Sequence, residues 1–135
     1  MFITRECDYA VRVFRCLAGA EKLSVTDICE MESITAPFAY KILKKLEQAG
    51  YVKGYRGVHG GYSLAADPNE ITLLDVYTAI EPDLFIIECL NPQHPCKRDG
   101  AGGKPCMVHR ELGLIQDEFK ALLHRKSLQQ ILEGR

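Results

Sequence analysis

The stretch VTDICEMESITAPFAYKILKKLEQAGYV, residues 25–52, contains two short amphipathic segments joined by a turn. Ser24 stands before the first segment as an N-cap residue. Thr35 does so for the second, with Pro37 in the first turn, where proline is tolerated. The second segment repeats apolar residues at helical spacing and ends at Gly50. Two helices separated by a tight turn predict a helix-turn-helix unit.

The flanking sequence adds a helix before this unit and a hairpin after it. Residues 4–20 have the apolar spacing of one helical face. The strand-like runs 51–53 and 62–64 flank the glycine-rich tip RGVHGG, residues 56–61. Three helices followed by a hairpin predict a winged helix-turn-helix, in which the third helix can enter the DNA major groove and the wing follows the backbone or minor groove.

Charge is distributed unevenly along this short chain of 135 residues, whose formal net charge is −1. Residues 36–62 carry five lysine or arginine side chains against the single carboxylate of Glu47. A local basic face is an electrostatic footprint for phosphate, although lysine-rich faces are also common on proteins that bind no nucleic acid.

Residues 71–80 predict a further helix with Thr72 as its cap, and residues 109–125 predict a long amphipathic helix. Ser127 caps a last short turn. A terminal helix with an apolar stripe is well suited to pairing with its twin, so we expect a homodimer. The expected fold is mainly α, with a winged helix-turn-helix DNA-binding domain over residues 1–80, a cysteine-rich loop over 81–108 and a dimerisation helix and turn over 109–135. The stripe of the long helix is formed by Leu112, Ile115, Phe119, Leu122 and Leu123.

The loop between the two parts has the pattern C-x6-C-x9-C-x2-H, from Cys89 through Cys96 and Cys106 to His109. Its prolines and glycines break helices and strands alike, so no regular structure is expected there. A loop of this composition with several thiolate-capable side chains is best explained by a bound metal centre that orders it. Thiolate and imidazole ligands favour zinc or an iron–sulfur cluster.

Several classes of function are excluded by what the sequence lacks. No apolar run approaches the length of a membrane span, and the N-terminus has no signal-peptide core. We therefore expect a cytoplasmic protein without a membrane partner, in which six cysteines indicate metal or redox chemistry rather than disulfides. A C-x-x-C pair, a nucleophile elbow and a phosphate loop are all missing, so we expect no enzyme.

The chain resembles the family of winged-helix transcription regulators typified by the iron–sulfur-cluster regulator IscR and the nitric-oxide-responsive NsrR. The resemblance covers nearly the whole chain. It rests on TRECDYAVRVF, on the 25–52 stretch, on the wing RGVHGGYSLA, on ITLLDVYTAI and on the three-cysteine loop. It implies a homodimeric DNA-binding regulator, typically a repressor, whose operator affinity depends on a 2Fe–2S or 4Fe–4S cluster that responds to NO, redox state, iron or cluster supply.

The resemblance also assigns the ligands. Cys89, Cys96 and Cys106 correspond to the family's cluster cysteines. The fourth ligand is either His109 or Asp8 of the partner subunit. The alternative is a cluster-free regulator of the same fold, with a structural zinc or a thiol switch that responds to a metabolite or partner. Zinc sites usually contain a tight C-x2–4-C knuckle, which Cys89 and Cys96 are too far apart to form.

The remaining cysteines and the DNA-binding residues complete the expectations. We interpret Cys7, Cys16 and Cys29 as small buried hydrophobic residues. The partner is a roughly palindromic double-stranded operator, bound with strong salt dependence. The residues expected at the DNA lie on the third helix and the wing: Pro37, Tyr40, Lys41, Lys44, Lys45, Arg56, Gly57, His59 and Gly60.

Overall fold

The computed structural model describes residues 3–135, which form a mainly helical fold with one two-stranded antiparallel sheet. In chain order the helices are α1 (Arg5–Ala18), α2 (Val25–Glu32), α3 (Ala36–Gln48), α4 (Leu73–Ile80), α5 (Met107–His124) and α6 (Leu128–Leu132). Strands β1 (Val52–Tyr55) and β2 (Gly61–Leu64) lie between α3 and α4. This order confirms the predicted winged helix-turn-helix. Within residues 3–135, no helix is both long and apolar enough to cross a membrane.

The predicted caps explain where most helices begin. The Thr4 hydroxyl accepts a hydrogen bond from the backbone N–H of Cys7. Ser24 and Thr72 each form a reciprocal capping box with the aspartate three residues later. Thr35 makes no side-chain cap bond, so α3 begins with Pro37 near its start but without this stabilisation.

The hydrophobic core is built around α1. Val13, Phe14 and Leu17 on this helix are buried against residues of α2, α3, β1 and α4. Cys7 and Cys16 are also buried in this core, as predicted, whereas Cys29 is only partly buried. The inner face of helix α3 is thus packed onto α1, and residues on its other face are exposed.

The start of α6, near the C-terminus, packs back against the residues just before α4. The Leu128 backbone N–H donates to the Ile71 carbonyl at 2.7 Å, and the Leu128 side chain is buried. The apolar residues predicted to form one stripe on the long helix do not all face the same way. Leu123 packs against the core, whereas the side chains of Ile115 and Leu122 are 47% and 60% exposed.

Two local predictions for the cysteine loop need correction. The loop contains one 3-10 turn at Glu88–Leu90 and a second turn at Ala101–Gly103 in which Gly102 has φ of +63°, because prolines and glycines prevent long elements but still permit one turn. Helix α5 begins at Met107 rather than His109, because Cys106 occupies its N-cap position.

Candidate metal centre and nucleic-acid interface

Three of the predicted ligands lie together. One ligand atom from each of Cys89, Cys96 and His109 lies within 4.8 Å of the other two. Cys89 belongs to the turn Glu88–Leu90, which contacts α5, and His109 stands in the first turn of α5. The packing of a short turn on a helix end therefore brings together residues that are far apart in sequence.

Cys106 lies beside this group. Its sulfur accepts a hydrogen bond from the backbone N–H of His109 at 3.5 Å, and it occupies the N-cap of α5. Burial and the neighbouring Cys96 raise the pKa of Cys89, and Cys106 contributes to the same shift. The thiols of the three cysteines thus influence one another, and a cation would relieve the repulsion between their thiolates.

The two nitrogens of the His109 imidazole lie in different surroundings. Its Nδ1 is buried and has no hydrogen-bond partner among the described residues, whereas Nε2 lies 3.7 Å from a carboxylate oxygen of Asp99. A buried polar atom without a partner costs free energy. Two thiols and the imidazole within this group, together with the Cys106 thiol beside it, have the ligand chemistry of an iron–sulfur cluster or zinc site.

Asp8 is located elsewhere in the chain. It stands on α1, is half-exposed, and forms an ion pair with Arg12 at 3.1 Å. Among the described residues of a single chain it is not part of the cysteine–histidine group. Its predicted role as a ligand to the partner subunit's cluster stays a prediction.

The predicted DNA-contacting residues of α3 fall into two sets. Pro37, Tyr40 and Lys44 are exposed, and Tyr40 lines a cleft that also includes the glycines of the wing. The ammonium groups of Lys41 and Lys45 instead contact the carboxylate of Glu6 at 2.5 and 3.0 Å. These two contacts lower the pKa of Glu6, and the bond to Glu6 raises that of Lys41.

The wing presents its residues on a tight turn. Arg56 and His59 are exposed, and the carbonyl of His59 accepts a hydrogen bond from Lys22 at 2.6 Å. A Cβ on Gly60 would lie 2.7 Å from the Tyr55 carbonyl oxygen, so a larger residue would disturb this turn. Gly57 has φ of +96°, which other residues rarely adopt.

Sequence reasoning missed two residues of these sites. Glu6 contacts lysines 35 and 39 positions away in sequence. Asp99 contacts both the backbone N–H of Cys106 and the ring of His109. Acidic residues that follow no periodicity or ligand spacing give no local signal of such contacts.

Nearly all of the residues that the structure describes match the sequence model of a known protein family. The model of the Rrf2 family, described as an iron-dependent transcriptional regulator, matches residues 3–134. The chain is 35% identical over 94 residues to the regulator NsrR of Bacillus subtilis and 32% identical over 99 residues to the protein Rrf2 of Nitratidesulfovibrio vulgaris. These alignments cover 67% and 71% of this chain and 64% and 65% of the relatives, so the chain spans just under two thirds of their length.

Comparison with solved structures shows that the similarity covers nearly the whole fold of this chain. CymR, the global cysteine regulator of B. subtilis, superposes with a TM-score of 0.74 at 25% identity, covering 98% of this chain and 97% of that protein. T. potens IscR superposes with a TM-score of 0.75 at 21% identity over 98% of this chain and 86% of that one, which shows the fold alone. NsrR and CymR of B. subtilis are named as transcriptional regulators, which are not enzymes. The chain belongs to the Rrf2 family of winged-helix transcriptional regulators.

Proposed function

We propose that this protein is a DNA-binding transcription repressor whose affinity for its operators is controlled by an iron–sulfur cluster held by the loop between α4 and α5. The observation that carries the proposal is the convergence of Cys89, Cys96 and His109 within 4.8 Å, with Cys106 at the adjoining helix end. The family assignment supports the DNA-binding part. The description of the family model as an iron-dependent regulator supports the choice of an iron-containing centre.

The ligand set suits a sensor. Cys89, Cys96 and Cys106 would bind iron as thiolates, and His109 would bind through its buried nitrogen. When bound, the cluster supplies irons that can react with NO or oxygen or be lost when iron is scarce. An imidazole in place of a fourth thiolate holds less negative charge at one iron, so we expect this centre to respond to its surroundings more readily than one with four cysteine ligands.

The exposed face of α5 supports a dimer. Several large apolar side chains on this helix face away from the core of the chain, and burying them against a second copy would remove apolar area from water. They are Met107, Val108, Leu114, Ile115 and Leu122. A symmetric dimer places two copies of α3 at two half-sites, which requires a roughly palindromic operator.

The DNA contacts divide between base reading and phosphate binding. Tyr40, on the exposed face of α3, would contact base edges together with Pro37 and Lys41. Lys44, Lys45 and the wing residues Arg56, Gly57, His59 and Gly60 would contact the backbone or the minor groove.

The presence of the cluster can be tested by the iron and sulfide content and the visible absorption spectrum of the purified protein. Protein purified without oxygen is expected to absorb visible light and to contain iron and sulfide in near-equal amounts, with the iron count separating 2Fe–2S from 4Fe–4S. Cys89→Ala, Cys96→Ala and Cys106→Ala should each lose most of this iron, whereas Cys29→Ala, which removes a partly buried thiol far from the loop in sequence, should keep it. A colourless wild-type protein with one zinc per chain would contradict the cluster and favour a structural staple.

Selection of bound sequences from a random double-stranded DNA pool tests the DNA partner. We expect enrichment of a palindromic sequence by wild-type protein. Arg56→Ala should bind that sequence more weakly and with a smaller dependence on salt. A protein that enriches no sequence in either its metal-loaded or metal-free form would contradict the regulator proposal.

A further inference from the structure

We propose that Asp99 is the positioning residue of the metal centre: it holds the His109 ring with Nε2 toward its own carboxylate and Nδ1 toward the thiols, so that Nδ1 is the ligand atom. The inference rests on the proposed function, because it names how the same site selects one nitrogen of its histidine.

Asp99 touches the loop's ligand residues at three points. Its backbone N–H donates to the Cys96 carbonyl at 3.2 Å. One carboxylate oxygen accepts from the Cys106 backbone N–H at 2.8 Å. The other carboxylate oxygen lies 3.7 Å from Nε2 of His109. The side chain therefore spans the start of α5 from its N-cap residue to the imidazole one turn later.

The two nitrogens of His109 have different surroundings. Nε2 has the Asp99 carboxylate within ion-pair range, a distance longer than a formed hydrogen bond. Nδ1 is buried and has no partner among residues 3–135. A neutral imidazole carries one proton, and a carboxylate beside Nε2 favours placing it there. The lone pair then remains on Nδ1, the buried nitrogen of a residue that forms one group with Cys89 and Cys96.

Carboxylates that hold the distal nitrogen of a metal-bound histidine fix both its tautomer and its ring orientation. Asp99 is placed for this role and also fixes the N-cap residue Cys106. Its position just before Gly100, whose φ is +81°, sets it at a turn that brings the chain back toward α5. The contact of Asp99 with the His109 ring and its contact with the Cys106 backbone N–H predict different effects when Asp99 is replaced. The two roles can therefore be distinguished by experiment.

The tautomer is the first readout, and it needs no cluster. In metal-free wild-type protein above neutral pH, long-range 15N–1H spectra of labelled histidine should place the His109 proton on Nε2. Asp99→Ala should lose this preference. Asp83→Asn is the matched control, because its exposed side chain makes no hydrogen bond or ion pair among the described residues. A His109 tautomer unchanged by Asp99→Ala would overturn the proposal.

The second readout is the rate at which a ferrous chelator, bathophenanthroline disulfonate, removes iron from anaerobically purified protein. Asp99→Ala and His109→Ala should each accelerate iron loss about 10-fold or more, as expected for removing support from a metal ligand. The double variant should be no faster than His109→Ala alone. Additive acceleration would mean that Asp99 acts only through the Cys106 backbone, which overturns the proposal.

A third readout identifies the ligand atom. In protein labelled with histidine carrying 15N only at Nδ1, pulsed electron paramagnetic resonance of the reduced cluster should show coupling to that nucleus. Coupling only when Nε2 is labelled would overturn the assignment. A wild-type protein that holds no iron would instead refute the proposed function, whereas an iron-loaded wild type with Asp99→Ala equal to Asp83→Asn would refute this inference alone.

Discussion

Lys45 of α3 donates a hydrogen bond of 3.1 Å from its ammonium group to the carbonyl oxygen of Ile80, the last residue of α4. The chain runs from Ile80 directly into the segment that carries Cys89 and Cys96. A side chain of α3, the helix that we propose reads DNA, is therefore hydrogen-bonded to the end of α4, from which the cysteine loop starts. We expect order in the loop to bias the position of α3 through this contact.

Lys45→Met should weaken the coupling between metal state and DNA binding. The methionine keeps the aliphatic part of the side chain but cannot bond to the Ile80 carbonyl. We expect the ratio of operator Kd values between metal-free and metal-loaded protein to fall several-fold toward 1. The measurement is fluorescence anisotropy of a labelled operator with both forms of the protein.

Lys44→Met is the control for this change, because Lys44 stands on the exposed side of the same helix. It should weaken both forms to a similar extent and leave their ratio near the wild-type value. An unchanged ratio in Lys45→Met would show that the Lys45–Ile80 bond plays no part in coupling.

Glu6→Gln should increase affinity for DNA. The Glu6 carboxylate holds the ammonium groups of Lys41 and Lys45, and its charge opposes theirs at the face of α3. Removing that charge frees two cations for phosphate, so the slope of log K against log salt should steepen by roughly 1 to 2. Glu21→Gln, at an exposed position in the loop before α2, should leave the slope unchanged. A slope equal to that of the wild type in Glu6→Gln would contradict this role.

Leu122→Glu should convert the dimer into a folded monomer. This side chain is 60% exposed on α5, so a charge is tolerated in the single chain but not between two apolar faces. Sedimentation velocity would show the mass, and circular dichroism would show the retained helices.

Leu128→Ala is the contrasting variant, because the Leu128 side chain is 1% exposed. It should lower the free energy of unfolding by about 2–5 kcal/mol without separating the subunits of the folded protein. A Leu122→Glu protein that remains dimeric would place the dimer interface elsewhere.

Cys16 should make the protein less stable at alkaline pH. Burial raises the pKa of this thiol from 9.0 to about 11, and nearby Glu32 adds to the shift. Well below pH 9 the thiol is protonated in both the folded and unfolded states. As the pH rises from 9 to 11, only the unfolded state releases the proton, so folding loses stability. The loss approaches roughly 2–3 kcal/mol at the upper end of that range.

The measurement is urea unfolding of reduced, metal-free protein between pH 8 and pH 10.5. Cys16→Ala should show a shallower fall in the free energy of unfolding with pH than the wild type. Cys29→Ala removes a thiol that is less buried and should retain more of the wild-type fall. Parallel curves for Cys16→Ala and the wild type would contradict the assigned pKa shift.

Local signals predicted most of the fold. Thr4, Ser24, Thr72 and Ser127 begin helices because a hydroxyl three residues before a backbone N–H caps it, and that spacing is visible in the sequence. The wing followed from two short apolar runs around a glycine-rich tip. The structure shifts its strands by one or two residues, to Val52–Tyr55 and Gly61–Leu64.

The features that short sequence patterns could not predict depend on contacts between residues far apart in the sequence. The apolar stripe of α5 gives no sign that Leu123 faces the core while Leu122 faces outward. The pairing of Glu6 with Lys41 joins α1 to α3 across 35 positions. The ligand pattern located the cysteines and His109, but the contact between Asp99 and the ring arises only when the loop folds back onto the start of α5.

The most direct test of the central claim is the operator Kd of the same protein sample before and after its cluster is removed without oxygen. We predict a change of about 5- to 150-fold, the usual range of allosteric coupling. The triple variant Cys89→Ala/Cys96→Ala/Cys106→Ala should match the cluster-free form under both conditions. Equal Kd values for loaded, cluster-free and triple-variant protein on every selected operator would contradict control of DNA binding by the cluster.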